Sequence, residues 1–147
     1  IDLDADKREE SKDVSEKSIK GMHVLLAEDN ELNMEIAEFL LQNEGAEVTK
    51  AWNGQEIVEL FRKSEAGEFD VILMDIMMPI INGYEAAKRI RSLDREDAKK
   101  IPIIAMTANA FTEDRIRAKE AGMDEHVAKP IDVELLIKVI HKLVKHN

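Results

Sequence analysis

Five side chains with chemical potential, Glu28, Asp29, Asp75, Thr107 and Lys129, each stand at or just past the end of a short apolar run. Glu28-Asp29 follow MHVLLA, Asp75 closes VILMD, Thr107 follows IPIIAM, and Lys129 follows the Asp124–Ala128 segment. If those runs are parallel strands, their carboxyl ends share one edge of a sheet, where open α/β sheets bind their ligands. The edge then carries three carboxylates, one hydroxyl and one ammonium. Three acids in a partly dehydrated cleft cannot all stay ionised without a counter-charge. A hard divalent cation resolves the repulsion, and an all-oxygen donor set suits Mg²⁺, with Mn²⁺ as a substitute. With the cation and Lys129 neutralising phosphoryl charge, the Asp75 carboxylate can attack phosphorus and form an acyl phosphate. No general base is required, because a carboxylate is already deprotonated at neutral pH.

Taken singly, each residue has a plainer reading. Asp29 serves as a helix cap, Thr107 as an ST-turn residue and Lys129 as a solvated cation. Capping does not account for acid, acid, hydroxyl and lysine at the exits of four different strands. The joint pattern favours a site.

The elements that must position these residues follow from the apolar pattern. Strands are expected over Met22–Ala27, Ala46–Trp52, Val71–Asp75, Ile101–Met106 and Asp124–Ala128. The third, buried on both faces, delivers Asp75 before Pro79 and Gly83 turn the chain away. Ala46–Trp52 alternates enough to be an edge. A first helix over Glu31–Asn43 carries Leu32, Ile36, Phe39 and Leu40 on one face, with Gly45 as its C-terminal cap. A second opens at Asn53, with Glu56 completing a capping box, and buries Ile57, Leu60 and Phe61. A third runs from Asn82, again with an acid three later at Glu85, to about Leu93. The helix over Thr112–Ala121 has only Ile116, Ala118 and Ala121 as apolar residues, so it is weakly held and able to shift. A last helix opens at Asp132 and carries Val133, Leu136, Ile137, Ile140, Leu143 and Val144 at helical spacing. Strands alternating with helices imply a doubly wound parallel sheet with helices on both faces.

The bulk composition narrows the function. At 147 residues the chain suits a single domain with one core. A formal net charge of −10 argues against direct nucleic-acid contact and for a basic partner or a cation. The absence of cysteine excludes disulfides and thiolate metal sites and fits a cytoplasmic setting. No apolar run approaches the roughly 20 residues of a membrane helix, so no membrane contact is expected. Residues 1–20 form a mixed-charge run whose Ile1, Leu3, Val14 and Ile19 are too sparse for a core. They read as a linker or tail, with the domain starting near Gly21 and running to 147.

The motifs LLAEDN (25–30), ILMDIMMPIINGYE (72–85), IIAMTANA (103–110) and AGMDEHVAKPI (121–131) resemble those of response-regulator receiver domains. The last three are most like receivers attached to hybrid sensor histidine kinases, and the likeness spans about residues 21–146. The resemblance implies a flavodoxin-like (βα)5 fold with strand order 2-1-3-4-5. It implies that Asp75 accepts a phosphoryl group from a phosphohistidine, on a kinase's own histidine domain or on a separate histidine phosphotransfer domain. It implies Mg²⁺ held by Glu28, Asp29, Asp75 and the backbone carbonyl of Met77. Thr107 and Lys129 would contact the phosphoryl oxygens, and Lys129-Pro130 would be a cis peptide. The same comparison puts His126 where receivers usually carry the Tyr or Phe that swings inward with the threonine. Two readings stand: the imidazole is simply a smaller ring in the same role, which is the favoured one, or its titration near neutrality makes the switch weaker at low pH. Met77 and Asn109 occupy the positions that tune hydrolysis of the acyl phosphate. Apolar Met77 offers an attacking water no side-chain hydrogen bond, implying modest self-dephosphorylation.

The output would be a population shift of the Thr112–Ala121 helix, the Asp124–Ala128 strand and the last helix, a face through which a weak dimer is also expected. Because no output domain follows Asn147, the chain is expected to be either a stand-alone receiver or the terminal receiver of a longer kinase; residue 1 being Ile favours the second, and such a parent is compatible with a membrane anchor. Three rivals are weaker. An aspartate-based phosphatase of the haloacid-dehalogenase type needs an acid where Met77 stands. A phosphorylation-independent pseudo-receiver would lack an acid, Thr or Lys. In a flavodoxin-like electron carrier, Glu28-Asp29 would repel the FMN phosphate.

Overall fold

The protein is described by a computed structural model covering residues 18–108 and 112–145. Its five strands are β1 (His23–Ala27), β2 (Glu47–Ala51), β3 (Val71–Asp75), β4 (Ile103–Thr107) and β5 (Glu125–Ala128). All pair in parallel in the order β2-β1-β3-β4-β5, the order implied by the family resemblance. The helices are α1 (Glu31–Asn43), α2 (Gly54–Lys63), α3 (Gly83–Arg91), α4 (Glu96–Lys100), α5 (Thr112–Glu120) and α6 (Val133–Lys145). The short α4 has no counterpart in the sequence reading. Its EDAKK buries only Ala98, too little for a helical period to register.

The side-chain alternation of each strand divides the core in two. Leu25, Ile72, Met74, Ile103 and Ala105 face α2, α3 and the buried Ala118 of α5. Val24, Leu26, Val71, Leu73, Ile104 and Met106 face α1 and α6. Every residue of β3 and β4 is buried, as expected of central parallel strands, whereas edge strand β2 is mostly exposed or half-buried. The N-caps form as expected: Asn53 accepts from the N–H of Glu56 at 2.7 Å, and Asn82 from that of Glu85 at 2.9 Å; the Glu56 carboxylate reaches back to the N–H of Trp52, one residue before the cap, at 3.2 Å.

Two expectations are corrected. On α1, Leu32, Ile36 and Phe39 do not face the core; they are 64%, 48% and 67% exposed. Met34, Ala37 and Leu41 are buried instead. Both sets fit a 3.6-residue period, and the larger side chains are on the outward one. At the other boundary, Ile19 is fully buried with Met34, Leu41 and Ile140, and the Ser18 carbonyl lies 3.1 Å from His141 Nε2. Packing therefore begins before Gly21. Residues 1–17 lie outside the described residues.

Two arginines staple elements in ways the sequence does not advertise. Arg95 donates to the carbonyl of Phe61 in the last turn of α2 and to that of Ser64 just past it, at 2.8 and 2.9 Å, and pairs with Asp97 at 2.7 Å. Arg91 donates to the carbonyls of Gly122 and Ala98 and to Asp124, at 2.9, 3.0 and 2.9 Å, tying α3 to the entry of β5. Burial pushes the Arg91 pKa below the ordinary value, against the opposing pull of Asp124. Among the described residues, no helix is long and apolar enough to cross a membrane.

Candidate functional site

β3 carries Asp75 to the edge. Its register places Asp75 opposite Met106 of β4, one residue before Thr107, and Thr107 in turn opposite Ala128 of β5. The N–H of Lys129 donates to the Thr107 carbonyl at 2.8 Å, so the chain leaving β5 is pinned to the end of β4. The Lys129-Pro130 peptide is cis. On the other side of β3, Glu28 follows directly on β1 and donates its N–H to the Ala51 carbonyl at 3.1 Å.

Backbone pairing alone therefore gathers groups that lie far apart in sequence. Asp75, Glu28 and Thr107 are the buried polar residues of the described chain, at 3%, 2% and 9% exposure, whereas Asp29 is exposed. Carboxylate oxygens of Glu28, Asp29 and Asp75 all lie within 4.8 Å of one another. The Lys129 ammonium bridges two of them, 2.8 Å from Glu28 Oε1 and 2.9 Å from Asp75 Oδ2. Burial works to lower the Lys129 pKa, but the hydrogen bonds and charges of Glu28 and Asp75 outweigh it and hold the pKa above 10.5. The remaining oxygens are met by backbone. Asn30 N–H donates to Glu28 Oε2 at 3.1 Å and Met77 N–H to Asp75 Oδ1 at 3.2 Å.

Asn30 escaped the sequence reading as a site residue. It is the N-cap of α1, accepting from Asn33 N–H at 2.9 Å, and the turn that this cap fixes aims its own N–H at Glu28. The signal was present in the Asp-Asn pair preceding a helix. Ile36 and Ile131 were also missed as site residues; with Glu28, Asn33, Lys129 and Pro130 they line a pocket beside the ammonium.

The other expected residues are less central. The Met77 side chain is 78% exposed. His126, in β5, is half-buried; Arg115 Nε donates to its Nε2 at 3.0 Å, and its Nδ1 lies 3.6 Å from Glu125. Asn109 lies outside the described residues.

Residues 24–141 match the family described as the response regulator receiver domain. Among curated proteins, histidine kinase 1 of Arabidopsis thaliana is 34% identical over 161 residues, covering 89% of this chain and 13% of the relative. Hybrid signal transduction histidine kinase I of Dictyostelium discoideum is 37% identical, covering 88% of this chain and 8% of the relative. The chain thus spans a small part of these relatives. Among solved structures, the receiver domain of the Pseudomonas aeruginosa sensor histidine kinase PA1611, which has magnesium in its active-site cleft, is 34% identical with a TM-score of 0.76. It covers 85% of this chain and 98% of that one. The receiver domain of Saccharomyces cerevisiae Ssk1, solved with the histidine phosphotransfer protein Ypd1, gives 29% identity and a TM-score of 0.75, covering 86% of this chain and 90% of that one. Matched in sequence along most of its length and in fold to solved receivers, the chain belongs to the response regulator receiver domain family.

Proposed function

We propose that Asp75 is the phosphoacceptor of a two-component phosphorelay, taking its phosphoryl group from a phosphohistidine in a Mg²⁺-dependent step. The observation that carries this reading is the Lys129 ammonium lodged between Glu28 and Asp75, in a cluster of three carboxylates. In the transfer, an Asp75 oxygen bonds to phosphorus as the phosphorus–nitrogen bond breaks, and the imidazole keeps the electron pair of that bond. Lys129 is already within hydrogen-bond reach of the attacking carboxylate and would follow the charge onto the phosphoryl oxygens. Thr107, at the neighbouring strand end, is assigned to those same oxygens.

The donor set fits a hard cation: all oxygens, closely spaced, with an excess of negative charge that one lysine does not neutralise. Glu28, Asp29, Asp75 and the Met77 carbonyl are the groups assigned to it. When bound, it supplies charge neutralisation for the transferring group. The exposed Met77 side chain offers a hydrolytic water no polar contact, which supports slow loss of the acyl phosphate.

The partner is assigned to a histidine phosphotransfer domain, the kind of protein that Ypd1 is in the Ypd1–Ssk1 pair. Leu32, Ile36 and Phe39 form an outward apolar stripe on α1, and Ile36 also lines the pocket beside Lys129. An amphipathic helix laid there would bring its histidine toward the strand edge. Output is assigned to α5, β5 and α6.

The test is labelling with phosphoramidate and Mg²⁺. The native chain should gain one acid-stable, hydroxylamine-sensitive phosphoryl group, and Asp75→Asn none. Undiminished labelling of Asp75→Asn would overturn the proposal, as would labelling of the native chain that is unaffected by a chelator.

A further inference from the structure

Among the described residues, Ile80 alone of the non-glycine residues has a positive φ, at 71°. A β-branched side chain is a poor occupant of that region, because its Cβ crowds the following carbonyl. Such a conformation persists only where the surroundings over-determine it, and here they do. Gly83 N–H donates to the Ile76 carbonyl at 2.8 Å, closing the loop that leaves β3. A Cβ added at Gly83 would stand 2.5 Å from the Asp75 carbonyl oxygen, and one at Gly54 would collide with the Ile81 carbonyl. The loop is clamped between the end of β3 and the first turn of α2, with no room to relax.

These constraints explain a left-handed residue at position 80. They ask for Gly, Asn or Asp and do not explain isoleucine. The Ile80 side chain is 73% exposed, so core burial does not offset the strain. Met77, in the same loop, is 78% exposed. Two large apolar side chains stand in solvent on the loop leaving a carboxylate that is itself 3% exposed.

We propose that Ile80 is a specificity residue for the protein phosphodonor, an apolar contact kept against the backbone's preference because the donor covers it. The inference rests on the phosphoacceptor reading above. Asp75 lies at the floor of the strand edge, so a phosphohistidine reaches it only if the protein carrying it lies against the loops leaving the strands. The loop from Ile76 to Asn82 is one of them. A small phosphodonor makes no such contact. The donor surface that fits is apolar with flanking cations, since the chain carries a net charge of −10 and Glu31 and Glu35, on the helix that leaves β1 at the same strand edge, are exposed.

The experiment measures Tm and Asp75 phosphorylation for the native chain, Ile80→Asn and Ile80→Val, with phosphoramidate and with phosphorylated Ypd1 as alternative donors. For Ile80→Asn, Tm should rise by about 3–6 °C as the strain is relieved. Its transfer from Ypd1 should fall about tenfold relative to phosphoramidate labelling, while Ile80→Val, which keeps the apolar branch, should transfer nearly as the native chain does. Equal transfer from Ypd1 to the native chain and Ile80→Asn would overturn the inference, as would a lower Tm for Ile80→Asn. Labelling of the native chain by phosphoramidate but not by Ypd1 would also overturn it while leaving the phosphoacceptor reading intact. No labelling by either donor would sink both.

Discussion

At the scale of single residues, the strand edge is organised by Lys129. Its ammonium is the counter-charge to two buried carboxylates, so its removal should cost more than an exposed lysine does. Lys129→Met is expected to lose about 1–3 kcal/mol of stability in metal-free buffer, because Glu28 and Asp75 are left facing each other without compensation. Millimolar Mg²⁺ should restore part of that loss, read by urea denaturation with and without the ion. The pH dependence has a definite sign. The folded Lys129 pKa lies above the ordinary 10.5, so its contribution is fully present below that value and is lost as pH rises through the higher folded pKa. The stability gap between native chain and variant should therefore stay flat across neutral pH and close only in strong alkali.

At the scale of elements, α5 and α6 contrast. α6 buries Leu136, Ile137 and Ile140, whereas α5 buries only Ala118 among its described side chains and leaves Ile116 53% exposed. Amide hydrogen exchange should accordingly be fastest, among the main helices, over the residues of α5. Protection there equal to that of α6 would remove the physical basis for treating it as the moving part. The C-terminus of α2 makes the opposite case. Arg95 adds side-chain donors to the Phe61 carbonyl, which Ser64 also engages, and to the Ser64 carbonyl just past the helix, and it stacks 4.7 Å over the Phe61 ring. Arg95→Ala is expected to cost about 1–3 kcal/mol in thermal or urea unfolding, an effect far larger than that of an ordinary surface arginine.

At the scale of the whole molecule, an acidic domain whose strand edge gathers three carboxylates against one lysine should couple cation binding to folding. Ligand-linked stabilisation grows as the logarithm of ligand concentration over Kd. Tm should therefore climb with Mg²⁺ and the climb should be much reduced in Asp29→Asn, which removes an exposed member of the cluster without disturbing the core. Phosphorylation would add about −1.5 to −2 charge at the same edge, within reach of Lys129 and next to the strands that carry α5 and α6. A two-state element so placed can be biased by a local charge.

What the sequence determined by itself was the alternation of strands and helices, the burial of β3 and β4, and the five residue types at the strand exits. These depend on local periodicity and composition, which a linear chain displays. Strand order came only through resemblance, because the pattern of apolar runs is the same for many orders of the same strands. Which face of α1 meets the sheet was decided by tertiary packing. Met34, Ala37 and Leu41 fit the space above β1 and β3, leaving the bulkier Leu32, Ile36 and Phe39 outside. The distance from Lys129 to Glu28 and Asp75 was decided there too, since it depends on the register of neighbouring strands. So was the left-handed backbone at Ile80, which the clamped loop imposes on a residue whose type predicts otherwise. Local preference is written into each short segment, whereas facing, register and strain exist only once distant segments compete for the same space.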